Sequence, residues 1–122
     1  MIVKMNEQLL HGHNNPVFCV ALRSSGHVAS GSLSGSIIIH STSFNKVEYR
    51  VDNVFANGVF GLCYLLNGSL VACGCCGFGE GLNLKVFSPS LELVQTLVAH
   101  NGNVRCITVS PSGSHFASGG DD

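Results

Sequence analysis

Two groups of residues in this chain have the chemistry to form a site. Cys73, Cys75 and Cys76 are close enough to hold a soft metal as thiolates. A structural zinc needs four ligands, normally as two separated pairs, and no second cysteine or histidine pair at ligand spacing accompanies them. They read instead as small buried hydrophobes, so neither a metal nor a cofactor is expected. Gly74, Gly77, Gly79 and Gly81 form a glycine-rich stretch of the sort that cradles phosphate, yet no helix N-terminus and no Lys-Ser/Thr pair follows it. That stretch reads as a long hairpin link. Nucleophilic catalysis would call for a serine or cysteine on a strained elbow with a base and an orienting acid, and no such passage occurs. No catalytic residue is assigned, and the chain is expected not to be an enzyme.

Any site therefore depends on the elements beneath it. The 122 residues are 45% hydrophobic and 11% charged, enough apolar material for a core. Six basic and seven acidic side chains, scattered singly, give a net charge of -1, without the positive field that nucleic acid needs. No apolar run approaches the roughly 18 residues of a membrane span, and Met1–Gln8 does not read as a secretory signal. With an apolar core and no export signal, the six cysteines are expected to be reduced thiols, in the cytoplasm or the nucleus. Fifteen glycines and many serines and asparagines imply frequent turns, hence strands.

The chain repeats itself at a period of about 40 to 45 residues. Val17-Phe18-Cys19-Val20 matches Val59-Phe60-Gly61-Leu62 and Val104-Arg105-Cys106-Ile107. The turns Ser24-Ser25-Gly26, Leu66-Asn67-Gly68 and Pro111-Ser112-Gly113 follow, each ending in the glycine a tight hairpin requires. Second strands come next at 27–32, 69–74 and 115–120, third strands at 36–40 and 82–87, and outer strands at 47–51 and 91–97. Alternating polarity in the outer strands marks one wet face. The inner strands, nearly all apolar, are expected to be covered on both faces. Glu7-Gln8-Leu9-Leu10 reads as an outer strand of a preceding unit, and Cys73 as standing where Ser30 and Ser118 stand. His13 and His100 recur at equivalent loop positions, and His27 and His115 head equivalent strands, which points to structural roles.

From residue 7 to 122 this repeat resembles the WD-repeat family of β-propellers. Its Gly-His dipeptide stands as Gly12-His13 and, with alanine for glycine, as Ala99-His100; the middle copy has Phe55. The Ser-Gly-Ser-x-Asp-Gly passage stands as Ser30-Gly31-Ser32-Leu33-Ser34-Gly35 and Ser118-Gly119-Gly120-Asp121-Asp122. The Trp-Asp pair is replaced by His40-Ser41 and Phe87-Ser88, since the chain has no tryptophan. The resemblance implies an all-β fold: a β-propeller segment of four-stranded antiparallel blades, too short to close alone. Residues 1–10 form a lead-in, 11–53 blade 1, 54–98 blade 2, and 99–122 the first half of a truncated blade 3. It also implies a hydrogen-bonded network of His13 and Ser30, and of His100, Ser118 and Asp122.

Propellers close with four to eight blades, so the chain is expected to be a fragment or truncated product, or a unit that self-assembles. Loops carry function in such folds. The loops entering the first strands and leaving the second strands share one face, which groups Asn14, Asn15, Leu33, Asn57, Phe78, Glu80, Asn101, Asn103 and Asp121, with Phe78 as the leading aromatic anchor. The resemblance implies a non-catalytic scaffold that binds protein or peptide partners through this face, with no direct nucleic-acid ligand. The alternative is a regulatory or substrate-recruiting fragment of a larger enzyme or ubiquitin-ligase complex.

Overall fold

Every repeat opens with a hairpin closed by a glycine that no other residue would replace comfortably. In the first, the Gly26 amide donates to the Arg23 carbonyl at 3.0 Å, joining β1 (Val17–Arg23) to β2 (His27–Ser32). Gly68 on Leu65 and Gly113 on Ser110 repeat the turn, and the three glycines sit at φ of 83°, 87° and 73°, the left-handed region where a Cβ is penalised. The computed structural model describes residues 8–75 and 83–122.

β3 (Ile37–Ser41) and β4 (Lys46–Val51) complete a four-stranded antiparallel sheet in the order β1-β2-β3-β4. β5 (Val59–Tyr64), β6 (Leu70–Gly74), β7 (Leu84–Phe87) and β8 (Leu93–Leu97) repeat it, while β9 (Val104–Val109) and β10 (Phe116–Gly120) form a two-stranded sheet. Among the described residues there is no helix and no closed sheet. The candidate link residues Phe78 and Glu80 lie outside the described residues, as do Cys76, Gly77, Gly79, Gly81 and Glu7.

The sheets pack face to face, as apolar strands in successive blades must. Ala21, Ala29, Ile37 and Ile39 of the first sheet meet Val59, Leu62, Leu70, Ala72 and Phe87 of the second. Cys63, Val71, Cys73 and Leu84 then meet Val104, with Ile107, Val109 and Phe116 partly buried behind it. Fully burying one such aliphatic side chain is worth about 1.5–3 kcal/mol, so these two seams carry most of the cohesion between sheets. The linker into the second sheet locks the first seam. Phe55 is 1% exposed, and its carbonyl lies so close to Gly35, at φ 85°, that a side chain there would collide with it.

Three expectations change. The inner strands are not all covered on both faces: Val20 and Leu22 of β1 are 62% and 76% exposed, because among the described residues no sheet packs on that side. On the same side, β3 is covered only locally, by the lead-in, where Gly12 abuts Ile38 and the His11 carbonyl accepts from His40 Nε2 at 2.7 Å. Gln8–Leu10 form no strand; Gln8 Nε2 reaches the Thr42 carbonyl at 3.2 Å, and among the described residues no strand pairs with the segment. Finally, the register sets Cys73 opposite Gly61, the position of Gly31 and Gly119, while Ala72 stands where Ser30 and Ser118 stand.

Candidate functional site

The first strand of every repeat carries a bulge at its second residue. Pairing runs from Val17↔Ser32 to Cys19↔Gly31, from Val59↔Gly74 to Gly61↔Cys73, and from Val104↔Gly120 to Cys106↔Gly119. Phe18, Phe60 and Arg105 are the residues left out. A bulge turns its side chain away from the pleat and leaves it outside the ladder, and here the three displaced side chains form a row across the sheets. The Phe18 and Phe60 rings are 5.8 Å apart at centroids with a 47° tilt, and the Arg105 guanidinium sits 5.5 Å from the Phe60 ring centre. Ring pairs at that separation and cations over ring faces are both attractive contacts.

Asp121 holds the end of the row. Arg105 donates from Nε and Nη2 to its two carboxylate oxygens at 2.9 and 2.8 Å, and Asn103 Nδ2 donates to the same group at 3.4 Å. Both partners are exposed, so the fork contributes direction more than stability. The Arg105 bond holds the Asp121 carboxyl below its ordinary pKa and, reciprocally, raises that of the guanidinium.

Of the loop candidates, Asn14, Asn15, Leu33, Asn57 and Asn101 are exposed on this lead-in face. Leu33 donates its amide to the Pro16 carbonyl at 3.0 Å, and the Asn57 amide donates to Cys75 at 2.7 Å. Asn101, Asn103 and Asp121 come together with Asp122: the Asn101 amide donates to Asp122 Oδ2 at 3.3 Å and the Asp121 amide to the Asn103 carbonyl at 2.9 Å. Phe18, Phe60 and Arg105 were not singled out from sequence. The one signal was a cation inside an otherwise apolar run; a bulge has no sequence mark of its own.

Behind the loops, His13 Nε2 lies 2.8 Å from the Ser30 hydroxyl, which is itself 3.5 Å from the Ile38 carbonyl. Burial lowers the His13 pKa, opposed by the Ser30 bond. In the third repeat His100 bridges Ser118 Oγ at 2.9 Å and Asp122 Oδ1 at 2.7 Å, and the bond to His100 depresses the Asp122 carboxyl. The second repeat has an apolar substitute, with Phe55 and Phe87 buried and the Lys85 ammonium 5.1 Å from the Phe55 ring centre. His40 and Phe87 occupy matching places opposite Val28 and Leu70.

No group of three or more His, Cys, Asp or Glu side chains placed to hold a metal occurs among the described residues. Cys73 points into the inter-sheet seam, where burial pushes its thiol up to about 12, and Cys75 is also buried. At the opposite end of the first sheet, Ser25 Oγ lies 2.7 Å from His27 Nδ1 and Glu48 lies 3.0 Å from His27 Nε2, a relay that ties the β1–β2 turn to β4.

Known proteins share this arrangement. The family model for the WD domain, G-beta repeat, matches residues 5–41 and 91–122, more than half of the chain. Echinoderm microtubule-associated protein-like 1 of Mus musculus is 34% identical over 58 residues, covering 48% of this chain and 7% of that protein. Human echinoderm microtubule-associated protein-like 2 is 34% identical over 68 residues, 54% of this chain and 10% of its own length. The solved structure of U3-55K superposes with a TM-score of 0.68 at 24% identity over 80% of this chain and 29% of that one. The RRP9 WD40 repeats superpose equally well, with 28% of that chain covered. The chain thus spans a tenth or less of the curated relatives and under a third of the solved chains it matches. With its repeated bulged hairpins, its two four-stranded blades and the family match over most of its length, this chain belongs to the WD-repeat, or G-beta repeat, family and forms part of a WD40 β-propeller.

Proposed function

We propose that the chain works as a non-catalytic scaffold whose lead-in face captures a protein or peptide segment. Proteins of this family generally act as interaction scaffolds. The observation that carries the reading is the row Phe18, Phe60 and Arg105, where two aromatic rings and an oriented guanidinium are presented side by side. Aromatic residues and arginine are prominent in binding energy at protein interfaces, where rings bury large apolar area and the guanidinium adds directed hydrogen bonds. Beside the row, Asn14, Asn15, Asn57, Asn101, Asn103 and Asp121 supply polar side chains and Leu33 an exposed apolar one; Phe78 and Glu80 are further candidates from the sequence alone. Five described cysteines are free thiols, which supports a cytoplasmic or nuclear setting.

The test is selection of peptides from a displayed library against the immobilised chain, followed by rebinding to variants. Phe60→Ala and Arg105→Ala should each weaken the selected peptides by about tenfold or more, while Val94→Ala, on exposed β8, leaves them unchanged. Peptides indifferent to both row variants, with circular dichroism confirming folded protein, would overturn the reading.

A further inference from the structure

The turn face, at the far end of the sheets from the lead-in loops, carries an arginine without a partner. Arg23 ends β1 half-buried, and among the described residues no carboxylate lies in ion-pair range of it and no protein acceptor takes its hydrogen bonds. A residue that serves the repeat recurs in it, but the matching positions hold Leu65 and Ser110, whose carbonyls accept the equivalent turn bonds from Gly68 and Gly113. Arg23 nonetheless lies against the next blade. Its guanidinium crosses from the first blade to the second and rests on Gly68, where any Cβ would collide with Nη2 and Cζ, with Pro89 alongside. Partial burial of a cation costs free energy unless an anion arrives to pair with it.

The surroundings are built for such an anion. Arg23 lines a pocket of about 400 Å³ spanning the hairpin turns of all three repeats, together with Ser24, Ser25, Tyr64, Ser110 and Ser112 and without a single carboxylate; the Ser25 hydroxyl is engaged with His27 Nδ1 at 2.7 Å, which leaves those of Ser24 and Tyr64 beside the guanidinium. The second and third turns are tied together by the Leu66 amide donating to the Gly113 carbonyl at 2.9 Å. The His115 amide donates to Ser110 Oγ at 3.2 Å and Ser112 Oγ lies 3.1 Å from it, so these two hydroxyls brace the third turn. Glu48 lines an adjoining pocket that Arg23 also borders, and is engaged there with His27 Nε2 at 3.0 Å.

We propose that this pocket binds the phosphoryl group of a phosphorylated serine or threonine in a peptide. A phosphomonoester carries about -1.5 to -2 charges and three strong acceptor oxygens, which suits one forked cation flanked by the Ser24 and Tyr64 hydroxyls better than a carboxylate does. Exposed Leu66 beside it offers an apolar surface to the flanking peptide backbone. The site is on the face opposite the aromatic row and stands independently of it.

The test is a heteronuclear NMR titration of the chain with inorganic phosphate, acetate and a blocked phosphoserine peptide. Saturable shifts are expected at the Arg23 Nε–H and at the Ser24, Ser25 and Ser112 amides, with the peptide binding more tightly than phosphate and acetate giving none. Arg23→Gln should lose about tenfold or more in affinity, and Arg23→Lys, which keeps the charge without the fork, should fall between. No saturable shift, or shifts unchanged in Arg23→Gln, would overturn the site. Acetate binding as well as phosphate would overturn the phosphoryl assignment, and a phosphopeptide no tighter than free phosphate would overturn the peptide.

Discussion

The sulfur of Cys73 fills the space above Gly61, so that a Cβ on that glycine would stand 2.7 Å from it. In the neighbouring blades the pair is reversed: Cys19 covers Gly31 and Cys106 covers Gly119. One sulfur and one bare backbone are kept at each inner hairpin, while the strand supplying the sulfur changes.

Gly61→Ala should therefore destabilise the chain by about 1–3 kcal/mol, through contact with Cys73 Sγ at 2.7 Å and Ile107 Cγ2 at 2.9 Å. Combining Gly61→Cys with Cys73→Gly recreates the arrangement of the other two blades and should cost far less than the sum of the single changes. Urea unfolding of the three variants measures this; additive losses would contradict it.

Gly35→Ala should be more damaging, losing more than about 3 kcal/mol, because the residue has φ 85° and faces the Phe55 carbonyl, which as backbone cannot swing aside. Gly102→Ala is the matched control. Its nearest neighbour is Asp121 Cβ at 3.5 Å, so the change should stay within about 0.5 kcal/mol. Thermal melts of both variants decide the comparison.

Thiol alkylation should follow burial. Desolvation pushes Cys19 and Cys73 up to about 12 and Cys63 to about 11, so little reactive thiolate forms near neutral pH. Cys106 is exposed and should be modified first of these four. Timed iodoacetamide labelling with peptide mass spectrometry gives the order, and early modification of Cys19 would be the contrary result.

Acid should weaken the fold in two separate windows. The His13 pKa is lowered by burial, so just below its ordinary 6.5 the unfolded chain binds the proton more readily than the folded one. Stability then falls with pH across that window, and His13→Asn should flatten the fall. Asp52, Asp121 and Asp122 are depressed by hydrogen bonds from Ser36, Arg105 and His100; their contributions persist above 3.8 and disappear only as pH falls through the lower folded values. Denaturant midpoints measured from pH 8 to pH 3 on both proteins resolve the two steps.

The four-strand repeat was legible because its signals are local. A glycine at each hairpin corner, an apolar run before it and alternation in the outer strands need no knowledge of neighbours. The grouping of Asn101, Asn103 and Asp121 was legible for a similar reason, since antiparallel connectivity alone sorts loops to one end. Cys73 shows where this stops: a one-residue slip in aligning the second strands places it with Ser30, and only the ladder sets it against Gly61.

By itself, then, the sequence determined the class of fold, the repeat and the end of the sheets at which the loops gather, because hydrophobic period and turn chemistry act within a few residues. Tertiary structure alone decided which apolar residues are covered and which are bare, because Val20 and Ile38 differ only in what lies opposite them. It also decided the two surfaces of interest. A bulge displaces Phe18, Phe60 and Arg105 into one row, and a hairpin glycine in the next blade leaves room for Arg23, contacts set by backbone register between segments some 40 residues apart.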